Sequence, residues 1–179
     1  MNIIKKIIFL VIGCLFVFNN FVYAKVEPSR IAIGGIGMNN TKDYVRNIYG
    51  HPDKMESKTY TKAVGGNGSG GIFGFQIGDT QDIWYYGDSF KIIFGNGKVT
   101  EINSTAKNGL KTPDNISVGM KINALYEKYG QPDSTYKDES NGEVSFIYGS
   151  IYNNDLNYLH FNINNGIITE MRVAWYGNW

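Results

Sequence analysis

Catalysis needs particular side chains brought together, and this chain holds few of them. It has two histidines, His51 and His160, and one cysteine, Cys14. A hydrolase triad requires a nucleophile, a base and an orienting acid, and no local motif of that kind surrounds either histidine. His51 falls in a Gly50-His51-Pro52 corner, and His160 alternates with apolar residues on a predicted strand. Asp79 with Asp82, and Glu101 with Glu170, are carboxylate pairs of the type used in acid–base chemistry. Glu101 and Glu170 occupy equivalent places in a repeat described below, so a structural or solvent-facing role explains them. Zinc prefers sets of cysteine and histidine, which this composition does not supply. The sequence points away from an enzyme, and neither cofactor nor metal is expected.

Residues suited to recognition are more plentiful. Trp84, Tyr86, Tyr148, Tyr158 and Trp175 are candidate partner-binding residues, because tyrosine and tryptophan bury much area at low entropic cost and keep a polar tip. Tyr85, Tyr152, Tyr176 and Trp179 belong to the same group. Strand aromatics also fill cores, and about half or more of these are expected to do so. Trp84 and Tyr86 alternate with Ile83 and Tyr85, so one pair faces outward and the sequence does not choose between them. Tyr158 is out of phase with Leu159 and is the best candidate for an open face. The glycine run at 65–71 lacks the Gly-Lys-Ser/Thr of a phosphate loop. It also lacks the aspartate that a calcium-binding glycine repeat would place at Gly70, and it reads as a surface loop.

The elements that position these residues come from a duplication. Gly37-Met38 leads through a helical stretch to Tyr49-Gly50-His51-Pro52-Asp53, and Gly119-Met120 leads likewise to Tyr129-Gly130-Gln131-Pro132-Asp133, the first copy being two residues longer. Ile83-Trp84-Tyr85-Tyr86-Gly87 parallels Ser145-Phe146-Ile147-Tyr148-Gly149, and the segment Phe94 to Ile102 parallels Ile163 to Met171. Tyr44, Val45 and Ile48, and Ile122, Leu125, Tyr126 and Tyr129, form apolar helical stripes. Asn40 or Thr41 is placed to cap the first helix. Gly50 and Gly130 suit helix C-caps, and the prolines beyond them stop the helix. Asn96-Gly97 and Asn165-Gly166 signal hairpins. Phe90, Ile92 and Phe94, and Leu159, Phe161 and Ile163, alternate with more polar residues, which predicts one buried sheet face beneath the helices and one open face. The copies span 32–103 and 116–179, with a linker at 104–115 and an irregular lead-in at 25–31. Each half is small enough to be marginal alone, so one continuous sheet is expected.

This order of motifs resembles the unit shared by the β-lactamase inhibitory proteins of soil bacteria and the small outer-membrane assembly lipoproteins of the SmpA/OmlA type. The tandem arrangement is closer to the inhibitors. The resemblance implies an α+β fold, a tandem repeat of a helix and antiparallel-sheet unit, with helices on one face and a concave sheet surface on the other. It also implies a disulfide in each repeat, from which this chain departs, having Cys14 alone. Of the family's functions only the character of a binding module carries over, since one fold serves many functions.

The N-terminus indicates export. Lys5 and Lys6 precede an apolar stretch from Ile7 to Phe18, and Val22-Tyr23-Ala24 offers a small residue at the cut, so residues 1–24 read as a signal peptide. Val11-Ile12-Gly13-Cys14 is a competing lipobox, disfavoured by the apolar Leu15-Phe16-Val17-Phe18 that follows. Removing residues 1–24 takes away two lysines and no acid, leaving a charge close to balance. Such a surface has no electrostatic footprint for nucleic acid or an anionic membrane. The expected function is an exported, non-enzymatic protein-binding module, an inhibitor of an extracytoplasmic enzyme being one version. The alternatives are an accessory of envelope assembly and a small-ligand or glycan binder. A protein binder would show a broad open patch, and a small-ligand binder a cleft between the two copies.

Overall fold

The computed structural model describes residues 26–62, 76–152 and 155–176. Residues 1–24 with Cys14, the glycine run and Trp179 lie outside them, as do the side chains of Tyr152 and Tyr176. A short 3-10 turn, Pro28–Arg30, precedes strands β1 (Ala32–Ile33) and β2 (Ile36–Gly37), helix α1 (Lys42–Tyr49) and strands β3 (Lys54–Thr59), β4 (Thr80–Tyr86), β5 (Phe90–Gly95) and β6 (Lys98–Ser104). Helix α2 (Asn123–Tyr129) then leads to β7 (Ser134–Lys137), β8 (Val144–Tyr152), β9 (Asp155–Asn164) and β10 (Ile167–Tyr176). Among the described residues eight strands form one antiparallel sheet in the order β3-β4-β5-β6-β10-β9-β8-β7, and β1 pairs with β2 apart from it. The chain is thus an α+β protein of two repeat-like blocks, joined edge to edge where β6 meets β10.

The repeated motifs interlock. Gly50 ends α1 at φ 75° and ψ −157°, its N–H donating to Arg46, and Gly130 ends α2 in almost the same conformation, donating to Tyr126. Side chains other than hydrogen avoid that region. The aspartate after each proline then grips the strand above it. Asp53 donates its N–H to the Tyr85 carbonyl (2.9 Å) and accepts from the Gly87 N–H (2.6 Å). Asp133 does the same with Ile147 (2.9 Å) and Gly149 (2.6 Å). Tyr86 and Tyr148 donate their hydroxyls to the carbonyls of Gly50 and Gly130 at 3.2 and 3.3 Å. The Gly-x-Pro-Asp and Tyr-Gly motifs are therefore two halves of one lock, made once per block.

Each helix lies on the sheet along a narrow line. Val45 and Leu125 are fully buried, and Tyr49 and Tyr129 pack on strand aromatics, Tyr49 against Phe90 (5.1 Å between centroids) and Tyr129 against Tyr148 (5.2 Å). Tyr44 and Ile48, on the flank of that line, each stay 44 % exposed. Thr41 caps α1, its Oγ1 accepting from the Tyr44 N–H at 3.1 Å. Lys42 reaches down to Asp82 on β4 (2.5 Å), which also accepts from Ser57 on β3 (2.5 Å). Both hairpin asparagines, Asn96 and Asn165, and the glycines after them have positive φ, the geometry that follows the twist of the strands.

The structure shifts the match between the copies. Asn39 and Asn40 bond across to Val99 (3.0 and 2.9 Å) as Gly119 and Met120 bond to Ile168 (2.8 and 2.9 Å). Asn39 and Gly119 both have positive φ. Gly119-Met120 therefore corresponds to Asn39-Asn40, not to Gly37-Met38, and the two-residue difference vanishes. The same offset pairs Gly35 with Asn115, both at positive φ, and buried Ile36 with buried Ile116. The segment before α2 is accordingly packed: Thr112 is buried and accepts from the Tyr129 hydroxyl at 2.8 Å, and the Lys111 carbonyl accepts from the Gly34 N–H at 2.8 Å. The lead-in is packed too, because Val26 and Ile31 are buried and Arg30 pairs with Asp114 at 2.9 Å.

The seam between the blocks has its own symmetry. Glu101 corresponds to Glu170, which makes Asn103 the counterpart of Arg172, and Asn103 is also the residue directly opposite Arg172 in the β6–β10 pairing. The approximate two-fold axis relating the blocks passes through this pair.

Candidate binding face

Strand alternation sorts the central residues onto two sides. One side carries Ile92, Phe94, Ile102, Met171, Val173, Leu159 and Phe161 under the helices and the β1–β2 hairpin, and all of these are buried. The opposite side is covered by no helix among the described residues. Along its middle run Lys91 on β5, Glu101 and Asn103 on β6, Glu170 and Arg172 on β10, Tyr158, His160 and Asn162 on β9, and Ser145 on β8.

These side chains form a network across the seam. The Glu170 carboxylate accepts from the Asn103 amide of the first block and from the Asn162 amide of the second (3.1 Å), and Asn162 accepts from Ser145 at 2.8 Å. Glu101 lies 3.9 Å from Lys91 and faces Arg172 on the other strand. Arg172 donates through Nη2 to the Tyr158 hydroxyl at 3.3 Å. Two atoms of the cluster, Arg172 Nε and His160 Nε2, are buried with no hydrogen-bond partner among the described residues. Burial, helped by the adjacent Arg172 charge, holds the His160 imidazole below its ordinary pKa and hence neutral. Cations and carboxylates alternate, so the strip is nearly balanced in charge but rich in directed polar groups. Tyr85 and Ile147 flank it on the same side.

The aromatic candidates divide unequally between the sides. Trp84 is 2 % exposed, its ring tilted against Phe94 (4.7 Å between centroids) with the Arg46 guanidinium 4.8 Å from it. Tyr86 packs on Tyr49 (5.5 Å), and Tyr148 is completely buried beside Tyr129 and Phe161. Trp175 shares its side of β10 with Val173 and is buried. These four lie on the helix side of the sheet. Tyr158 alone of the five lies on the open side, 9 % exposed against Arg172. Arg172, Asn103, Asn162 and Lys91 were not singled out by sequence reasoning, and their joint placement depends on strand register.

The other chemistry-bearing residues are occupied locally. Asp79 accepts from the Gln76 N–H (2.6 Å) and the Asn96 amide (3.0 Å), fixing a turn, and Asp82 is held by Lys42 and Ser57. Among the described residues no group of three or more histidine, cysteine, aspartate or glutamate side chains could hold a metal ion.

No protein-family model matches this chain, and no curated protein matches it. Among solved structures, a DUF4309 family protein (YjgB) of Bacillus subtilis is 14 % identical, with 78 % of this chain and 82 % of that one covered and a TM-score of 0.40. A protein of Streptococcus mutans described as a candidate β-lactamase inhibitor is also 14 % identical, with 75 % and 82 % covered and a TM-score of 0.28.

Proposed function

We propose that this is an exported, non-enzymatic protein-binding module that receives its partner on the open side of the sheet, with inhibition of an extracytoplasmic enzyme as one form of that role. The observation that carries this reading is the polar strip at the seam, on the side that no helix covers among the described residues, with Tyr158 beside it. A nearly neutral surface with tyrosine and arginine at its centre has the composition of interface hot spots. Export is supported by the order of residues 1–24.

The test is affinity capture from the native organism's envelope and culture fluid, with the exported form and a Tyr158→Ala, Arg172→Ala variant as parallel baits. One dominant protein, bound by the first and lost with the folded variant, is the expected result, followed by calorimetry with that protein purified. Absence of any specific partner with either bait would overturn the reading.

A further inference from the structure

The two blocks differ in one respect that creates a cleft. β8, β9 and β10 run past the point where their counterparts in the first block stop. The β1 strand packs on the extension of β10, and the Pro28–Arg30 turn packs against β8. Between this platform and the first block's hairpin lies a cleft of about 430 Å³, lined among others by Pro28, Ser29, Met38, Asn39, Asn40 and Asn157, with no charged side chain in its lining among the described residues. Asn157 is 7 % exposed, and its Oδ1 is buried without a hydrogen-bond partner among the described residues.

The second block provides an internal comparison. Ser117 to Met120, the counterparts of Gly37 to Asn40, line a similar cleft there, with Lys107 and Lys111 beside them. The Ser117 N–H meets the Met120 sulfur at 3.3 Å where the Gly37 N–H meets Asn40 Oδ1 at 2.8 Å. Cleft formation is thus a property of the repeat, and Asn40 and Asn39 serve its turn. Asn157 serves no such purpose: it belongs to the extension, and among the described residues its amide oxygen has nothing to accept from.

We infer that the first cleft is a binding site for a small, uncharged, hydroxyl-bearing ligand of saccharide size, with Asn157 as the acceptor for a ligand hydroxyl. The volume lies within the roughly 300–1,000 Å³ of small-molecule sites. An uncharged lining disfavours ions, which would lose hydration without a counter-charge. The amides and Ser29 suit hydroxyls, and Pro28 and Met38 suit the C–H face of a sugar ring. Asn157 points to the opposite side of β9 from Tyr158, so this site and the open face can be tested separately.

The test is two-dimensional NMR of the exported form titrated with glucose and maltose, and with the charged analogues glucosamine and glucuronate. Neutral sugars are expected to shift the Asn157 side-chain amide and the Gly37 N–H saturably, and the charged ones not. Asn157→Leu is expected to weaken binding by roughly tenfold or more while raising Tm, because it removes a buried unpaired oxygen. Asn157→Ala reads the same loss of binding should the leucine variant not fold. No saturable shift with either neutral sugar, equal binding of the charged analogues, or unchanged binding in the variants would each overturn the inference. Partner capture through Tyr158 and Arg172 is unaffected by any of these results.

Discussion

At the scale of single residues, the aspartates after the prolines and the histidine at the seam make the sharpest demands. Asp53 and Asp133 each accept a charge-assisted bond from a glycine N–H, exposed at Gly87 and part-buried at Gly149. Asp53→Ala and Asp133→Ala are each expected to cost about 1–3 kcal/mol in urea denaturation, and their effects to add, since they share no contact. His160 faces Arg172 and Glu170 from β10, with Glu101 and Lys91 beyond them on β6 and β5. Its folded pKa is depressed, so the unfolded chain binds more protons in the window below about pH 6.5. The stability that neutral His160 contributes is present above that pH and is lost as pH falls through the folded value. His160→Gln should flatten this part of the stability–pH curve, as read by Tm against pH. None of these roles was legible for His160 from sequence, where it appeared as one polar residue alternating with core. Its neighbours come from other strands.

At the scale of elements, helices, hairpins and corners were readable because their signals are local: cap, glycine, proline and Asn-Gly each act within a few residues. Gly50 shows how strict one such signal is. An added Cβ there would meet nothing within 4 Å, so the cost of Gly50→Ala is purely conformational. It should be about 1–3 kcal/mol, measurable by chemical denaturation. What the local pattern did not reveal was which part of each apolar stripe touches the sheet. Tyr44 and Ile48 read as core by spacing, yet the contact line runs through Val45 and Tyr49. The Gly-Met coincidence misled for a related reason. Residue identity matched at Gly37 and Gly119, while the backbone requirement for positive φ matched at Asn39 and Gly119. Asparagine meets that requirement more readily than most residues with a side chain.

At the scale of the whole molecule, eight strands form one sheet, and β10 has β6 of the other block as its neighbour. A fragment of residues 104–179 would expose that edge of β10 and lose Ile102 and the first hairpin from around Val173. Circular dichroism with heating should show it failing to unfold cooperatively, and a sharp transition would show that each block stands alone. The sequence announced the duplication and the buried face, but the side on which each aromatic lies followed from register, which a two-residue alternation leaves undetermined. The placement of Asn103 opposite Arg172 has a consequence for descent. In a homodimer of identical single blocks meeting at this seam, whatever residue stood at that position would face its own copy. Two arginines there would repel, and two asparagines would leave Lys91 as the nearby cation for each glutamate. With both blocks in one chain, the position holds an amide on one strand and a guanidinium on the other. At a point that would face its own copy, one chain permits a pairing of unlike residues that a symmetric dimer forbids.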